Sequence, residues 1–223
     1  MDLQALALTL RLAAVTTVVL LVAATPLACW IVFTHSRLRA LVEAIATLPL
    51  LLPPTVMGFY LLVLLGPRTA LGRAWIHLTG HPLAFSFAGL VIGSVIYSLP
   101  FAVQPLVAGF SAVDTALIEQ AWLLGAGKTR MLRELLLPLS ARSVVTAAVL
   151  CFTHTVGEFG VVLMIGGDIP GSTRTLSIAI YDQVQDFSYA AANRTALALL
   201  LISVIALVLL YARRGRIAME TTR

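Results

Sequence analysis

Five long apolar runs, parted by shorter polar stretches, set the pattern of this chain. Residues 12–33, 44–65, 83–110 and 195–212 carry no Asp, Glu, Lys or Arg, and residues 143–167 carry one, Glu158. A helix needs about 20 apolar residues to cross the hydrocarbon core of a bilayer. All five runs reach that length, the last only just, and the third has residues to spare for tilt. The short alternating segments of a membrane barrel are missing. The pattern predicts an all-α membrane protein of about five transmembrane helices. These helices and their loops form a single transmembrane domain over residues 1–223 and leave no length for a separate soluble domain.

Composition strengthens this reading. Of the 223 residues, 60% are hydrophobic and 11% are charged. Soluble domains carry roughly 25% charged residues. The net charge of +5 is spread between the apolar runs, so it forms no dense patch for nucleic acid and bears instead on orientation. Arg37, Arg39, Lys128, Arg130, Arg133, Arg142, Arg213, Arg214, Arg216 and Arg223 fall on one side of the alternating loops, ten of the fifteen basic residues. The other side holds Arg11, Arg68, Arg73, Arg174 and Arg194. By the positive-inside rule the richer set faces the cytoplasm. The N-terminus is then outside, the loop 111–142 inside and the C-terminus cytoplasmic. The first run continues through Trp30 and Phe33 past Cys29, which reads as an uncleaved span rather than a signal peptide. Cys29 and Cys151 sit in apolar runs and suggest buried small hydrophobes, with no metal-ligand or disulfide spacing.

The loop 111–142 holds the most specific signal. Asp114 is placed as a helix N-cap, with a short helix running to Leu124. Gly125 or Gly127 ends it, since glycine accepts the left-handed conformation. A second helix is expected from Thr129 to just before Pro138. Ile118, Ala121, Trp122, Met131, Leu132, Leu135 and Leu136 make this hairpin amphipathic, so it needs a partner or the membrane surface. The run Gly125-Ala126-Gly127-Lys128-Thr129 has the end of a phosphate-binding loop. It lacks that loop's first glycine, because position 122 is Trp122, so no ATP site is expected.

Glu119-Gln120-Ala121, Gly125 after three residues, and Leu135-x-Leu137-Pro138 after nine more resemble the E-A-A–x3–G–x9–I-x-L-P signature of bacterial ABC importer permeases. Gln120 and Leu135 depart mildly from it. The resemblance implies the type I importer permease fold and a cytoplasmic coupling-helix hairpin that docks on a separate ATPase. It places Glu119, Gln120, Ala121, Gly125, Leu137 and Pro138 at or near that docking surface. Three further segments are similar to those of molybdate permeases. These are Leu48-Pro49-Leu50-Leu51-Leu52-Pro53-Pro54-Thr55-Val56-Met57-Gly58-Phe59-Tyr60, Gly157-Glu158-Phe159-Gly160, and Asp168-Ile169-Pro170-Gly171 with Arg174-Thr175 and Ala179-Ile180-Tyr181. Asp168 stands where that family has asparagine. The resemblance implies molybdate import across a bacterial inner membrane by alternating access. It also implies a homodimer of this chain, a cytoplasmic ABC ATPase dimer, and an extracytoplasmic molybdate-binding protein. No cofactor or metal is implied. Sulfate, thiosulfate and tungstate remain open as cargo.

Several residues carry two readings. Pro53 and Pro54, with Pro49, disturb the second run, which either lines a path or gate or holds a static kink. Glu158 is a functional-site candidate by its depth, as a gate element, as a partner for a buried donor, or as a residue near a membrane boundary. His154, four residues earlier, is placed to pair with it on one helix face. Arg174 is either an outer-face contact for the binding protein or a solvated loop residue. A stand-alone channel or secondary carrier is the different-class alternative, though a carrier would often show inverted repeats and several membrane charges. An intramembrane enzyme would need paired catalytic groups, for which only Glu158 and His154 qualify. The chain is therefore expected to have no catalytic site of its own.

Overall fold

A computed structural model describes residues 2–220 and is helical throughout, with no strand among them. Helix α1 spans Leu3–Phe33. The Asp2 carboxylate opens it by accepting from the Gln4 and Ala5 N–H groups at 2.9 and 3.1 Å. The helix thus starts ahead of the uncharged run at residue 12 and carries Arg11, whose guanidinium lies 4.5 Å over the Phe87 ring. A cation–π contact lets a charge sit on an otherwise apolar helix.

The second apolar run is not one straight helix. Helix α2, Arg39–Thr47, passes through a tight turn at Leu48–Leu50. The chain then breaks and restarts as α3, Pro54–Leu65. The two halves meet at 110°. Three prolines without N–H groups in six residues cannot continue the ladder, whereas Pro54 suits the first position of a new helix. Helix α4, Ala70–Thr79, and the long α5, Phe87–Ser111, follow. Next come α6, Thr115–Leu123, and α7, Lys128–Leu139. Helices α8, Ala141–Gly157, and α9, Gly160–Gly166, are separated at Glu158 and Phe159, so the run 143–167 is also broken. Helices α10, Leu176–Gln185, and α11, Tyr189–Glu220, complete the chain. Arg223 of the basic set lies outside the described residues.

Among the described residues, three helices are long and apolar enough to cross a membrane, or up to five if each bent pair counts as one span. The second such pair is α7 with α8, bent by 81°. Helix α7 runs through Pro138 instead of stopping before it. Over Leu132–Leu136 the ladder widens, and the Leu137 N–H donates to the Leu132 carbonyl five residues back. A π-type turn there gives room for a proline that would otherwise clash one turn earlier.

Helices α1, α5 and α8 pack together as the centre of the molecule. Small residues let them approach closely, since Ala24 and Ala28 on α1, Ala102 on α5, and Ala147 and Cys151 on α8 are fully buried, and Leu20, Leu106 and Phe110 fill the space around them. In lipid, close backbone approach rather than the hydrophobic effect holds helices together. Helix α9 packs on α3 and α5, and α10 and α11 pack on each other. Helix α11 stands at the periphery, with 11% of its apolar window buried.

Candidate functional site

Two helix breaks, far apart in sequence, come together. The first is the turn ahead of Pro54, and the second is the Gly157-Glu158-Phe159-Gly160 segment. A Cβ placed on Gly160 would lie 2.5 Å from the Pro54 Cβ, so only glycine fits here without displacement. One turn further along α3, a Cβ on Gly58 would lie 2.7 Å from the Met164 Cβ. Between the breaks lies a cavity of about 550 Å3. Pro54 and Thr55 line it from α3, Tyr97 from α5, Thr153 and His154 from α8, and Gly157 to Gly160 from the second break. Irregular backbone survives at membrane depth where it is buried in protein or faces a water-filled space. The second break meets it, with Glu158 buried, whereas Leu51 and Pro53 of the first are exposed and only Pro54 and Thr55, at the start of α3, reach the cavity.

Glu158 sits at the second break with 5% of its surface exposed. Its backbone is extended, at φ −70° and ψ 135°, which ends α8. The side chain turns toward α9 and accepts from the Val162 N–H at 3.2 Å, satisfying an amide of that helix's first turn. Ser94 Oγ on α5 donates to the other carboxylate oxygen at 3.2 Å. Ser177 Oγ on α10 donates to the Glu158 carbonyl at 2.6 Å. This one residue therefore ties α5, α9 and α10 to the break.

His154 does not pair with Glu158, contrary to the expectation from their spacing. That spacing assumes a continuous helix, and α8 ends at Gly157. The Nδ1 atom of His154 shares a 2.8 Å hydrogen bond with Ser98 Oγ. The ring stacks on Phe101 at 4.1 Å between centroids and lies 5.2 Å from Tyr97. Ser98 is fully buried behind this wall of the cavity, and Tyr97, Thr153 and His154 make up the wall's polar part on the cavity side. Thr55 falls in the segment similar to molybdate permeases and Thr153 is a polar residue inside an apolar run, whereas Tyr97 was not singled out, because only the tertiary fold brings it to the cavity.

The loop after α5 forms the second candidate region. Asp114 Oδ1 accepts from the Ala116 N–H at 2.9 Å and caps α6. Of the two glycines placed at its end, Gly125 takes the left-handed conformation, at φ 79°, while Gly127 is extended. The Ala126 N–H donates to the Ala121 carbonyl and the Gly125 N–H to the Trp122 carbonyl, at 3.0 and 2.9 Å. This pair of bonds is the Schellman closure, which requires a positive φ at Gly125. Ile118, Met131 and Leu136 point into the core. Glu119 and Gln120 are exposed, Ala121 and Leu137 are half-buried, and Pro138 is exposed. Leu123 and Leu124 are 87% and 86% exposed, and Trp122 is 50% exposed. Two bare leucines at a tight turn form an apolar tip in need of a partner. The amphipathic pattern had named Trp122 but not these two.

Arg174 lies in a third place, on the loop between α9 and α10. It donates through Nε and Nη2 to both oxygens of Asp168, the second bond at 2.7 Å. Its Nη2 also stands 3.5 Å from the Asp182 carboxylate, an ion pair without a hydrogen bond. Hydrogen bonding to Arg174 holds the Asp168 carboxyl below the ordinary carboxylate range. Burial pushes the Asp182 carboxyl up, and the neighbouring Asp168 adds to that. Asparagine at 168 would offer Arg174 one acceptor oxygen instead of two.

No group of His, Cys, Asp or Glu among the described residues could hold a metal ion. A family model described as "Binding-protein-dependent transport system inner membrane component" matches residues 8–217. The chain is 49% identical over 213 residues to the molybdenum transport system permease protein ModB of Azotobacter vinelandii, covering 96% of this chain and 94% of that one. It is 36% identical over 147 residues to the protein of the same name in Escherichia coli K12, covering 66% and 64% of the two chains. Among solved structures, it resembles a chain of a bacterial ABC transporter involved in the import of the acidic polysaccharide alginate. That match has a TM-score of 0.77, 19% identity, and coverage of 96% of this chain and 79% of the other. This last likeness concerns the fold.

Proposed function

Because the chain belongs to the binding-protein-dependent transport system inner-membrane component family, we propose that it carries molybdate inward as the permease subunit of an ABC importer. It is a transport component and not an enzyme. The observation that supports the cargo best is the 49% identity, over nearly the whole of both chains, to a molybdenum permease.

In this reading two copies of the chain pair, and an extracytoplasmic binding protein delivers the anion. An ATPase dimer docks on the opposite side. Glu119, Gln120, Ala121 and Gly125, with Leu137 and Pro138 behind them, form the docking region. Leu123 and Leu124 supply apolar anchors for the partner. The loop faces the cytoplasm, the N-terminus is outside and the C-terminus is inside. The cavity between the breaks is part of the path. Its wall offers hydrogen-bonding groups from Thr55, Tyr97 and His154, which suit an oxyanion without trapping it, while the Thr153 hydroxyl is spent on the Val149 carbonyl. Glu158 lines the same cavity, but both carboxylate oxygens are engaged by Ser94 Oγ and the Val162 N–H, so it holds the break together rather than binding the anion. Pro53 and Pro54 provide the hinge of α3 beside the fixed turn at Gly160. Arg174 shapes the outer loop through Asp168, and a contact with the binding protein would compete with that pairing.

ATP binding draws the two ATPases together and moves the docked loops. The bend between α7 and α8 passes this motion to the break at Glu158. The test is molybdate uptake into proteoliposomes holding permease, ATPase and binding protein. Uptake should need ATP and the ATPase subunit, and uptake without the ATPase would overturn the importer reading.

A further inference from the structure

A second and larger cavity, of about 770 Å3, lies between the end of α1 and the start of α7. Its lining has two ends. Leu132 and Leu136 are part of its apolar floor, while His35 and Lys128 stand at its mouth. Trp30 and Trp122 flank it, 40% and 50% exposed. No carboxylate lines it. None of the ion pairs among the described residues uses Lys128. The carboxylate nearest to it in the chain is already engaged, since Arg130 donates to Glu134 at 2.8 Å.

From this we infer that the groove between α1 and α7 binds one anionic phospholipid, with the headgroup phosphate at Lys128 and His35 and an acyl chain over Leu132 and Leu136. The inference rests on the proposed orientation, in which this loop is on the cytoplasmic side. Three features select a lipid. A soluble anion would make no use of the apolar floor, and an apolar segment of protein would leave Lys128 unpaired in a low-dielectric site. Paired tryptophans at a polar–apolar boundary are the usual signature of headgroup depth. A basic pocket between membrane helices at a cytoplasmic surface suits an anionic headgroup. The lipid would bridge α1, in the central bundle, to α7, which leads from the docking loop, and so would bear on how firmly the loop is held.

Trp30 and Trp122 are two of the three tryptophans, which makes the groove its own reporter. The full-length chain with Trp75→Phe is placed in nanodiscs with brominated phosphatidylglycerol or brominated phosphatidylcholine at equal mole fraction. The expected result is at least twofold stronger quenching by the anionic lipid. That preference should vanish in Lys128→Gln and persist in Lys128→Arg and Arg130→Gln. Equal quenching by both lipids, or a preference that survives Lys128→Gln, overturns the proposal. Loss of the preference in Arg130→Gln would also overturn it, by pointing to diffuse surface charge. Its abolition by added inorganic phosphate overturns it in favour of a soluble-anion site. No quenching by either lipid overturns it in favour of a groove filled by protein, such as a second copy. The measurement needs neither ATPase nor molybdate, so its failure is separable from failure of the importer reading.

Discussion

Gly160 packs so tightly on Pro54 that a Cβ on the glycine would stand 2.5 Å from the proline Cβ. The two residues belong to different broken segments, and this contact is what makes two irregular stretches into one site. Gly160→Val should therefore act as overpacking, which costs about 1–3 kcal/mol. The expected outcome is a lower melting temperature of the solubilised permease and loss of uptake. Unchanged melting and uptake would show that the breaks are not held against each other.

Glu158 accepts from Val162 N–H and Ser94 Oγ. Glutamine keeps an acceptor oxygen for the amide, and its NH2 group can donate to the serine. Glu158→Gln should leave uptake and assembly close to normal. Glu158→Ala removes the partner of a helix-start amide, a loss of about 0.5–2 kcal/mol by analogy with capping residues, and should lower both stability and uptake. Equal damage from Gln and Ala would show that the charge itself is used.

Gly125 and Gly127 sit two residues apart and differ in conformation. Gly125 has φ 79°, whereas Gly127 is extended with open space beside it. Alanine at 125 takes on left-handed strain of about 1–3 kcal/mol and deforms the tip that carries Leu123 and Leu124. Gly125→Ala should reduce transport-coupled ATP hydrolysis in the assembled complex at least severalfold, while Gly127→Ala leaves it near normal. Equal effects at both positions would contradict the docking geometry.

The Arg174 loop carries a pH signature with two opposed signs. Asp168 is held below its ordinary carboxylate value of about 3.9. Its contribution is complete above that value and lost as pH falls through the lower folded-state value. Asp182 is raised, so it favours the folded state only when protonated and weakens it as pH rises. Asp182→Asn should thus raise the melting temperature at neutral pH. Asp168→Asn should lower it at neutral pH and remove the loss of stability below about pH 4. Identical melting profiles for the two variants would refute the assignment.

Much of this was legible in the residues, and the remainder had to wait for three dimensions. Uncharged runs and prolines announce helices and their interruptions, because both follow from local chemistry. The Asp114 cap and the turn after α6 are local too, although choosing Gly125 over Gly127 required the backbone. What no local pattern could show is that the Pro54 break meets Gly160, about a hundred residues away. The same holds for Glu158 and His154, whose spacing implied a pair. The break at 158 sends one to Ser94 and the other to Ser98. Leu123 and Leu124 looked like ordinary apolar residues until the fold left them bare.

The cargo is the central claim, and competition for uptake tests it most directly. Proteoliposomes containing the permease, its ATPase and its binding protein are given ATP and labelled molybdate, with unlabelled oxyanions in tenfold excess. Molybdate and tungstate should suppress labelled uptake, and sulfate should leave most of it intact. Sulfate suppressing uptake as strongly as molybdate would contradict the molybdate assignment.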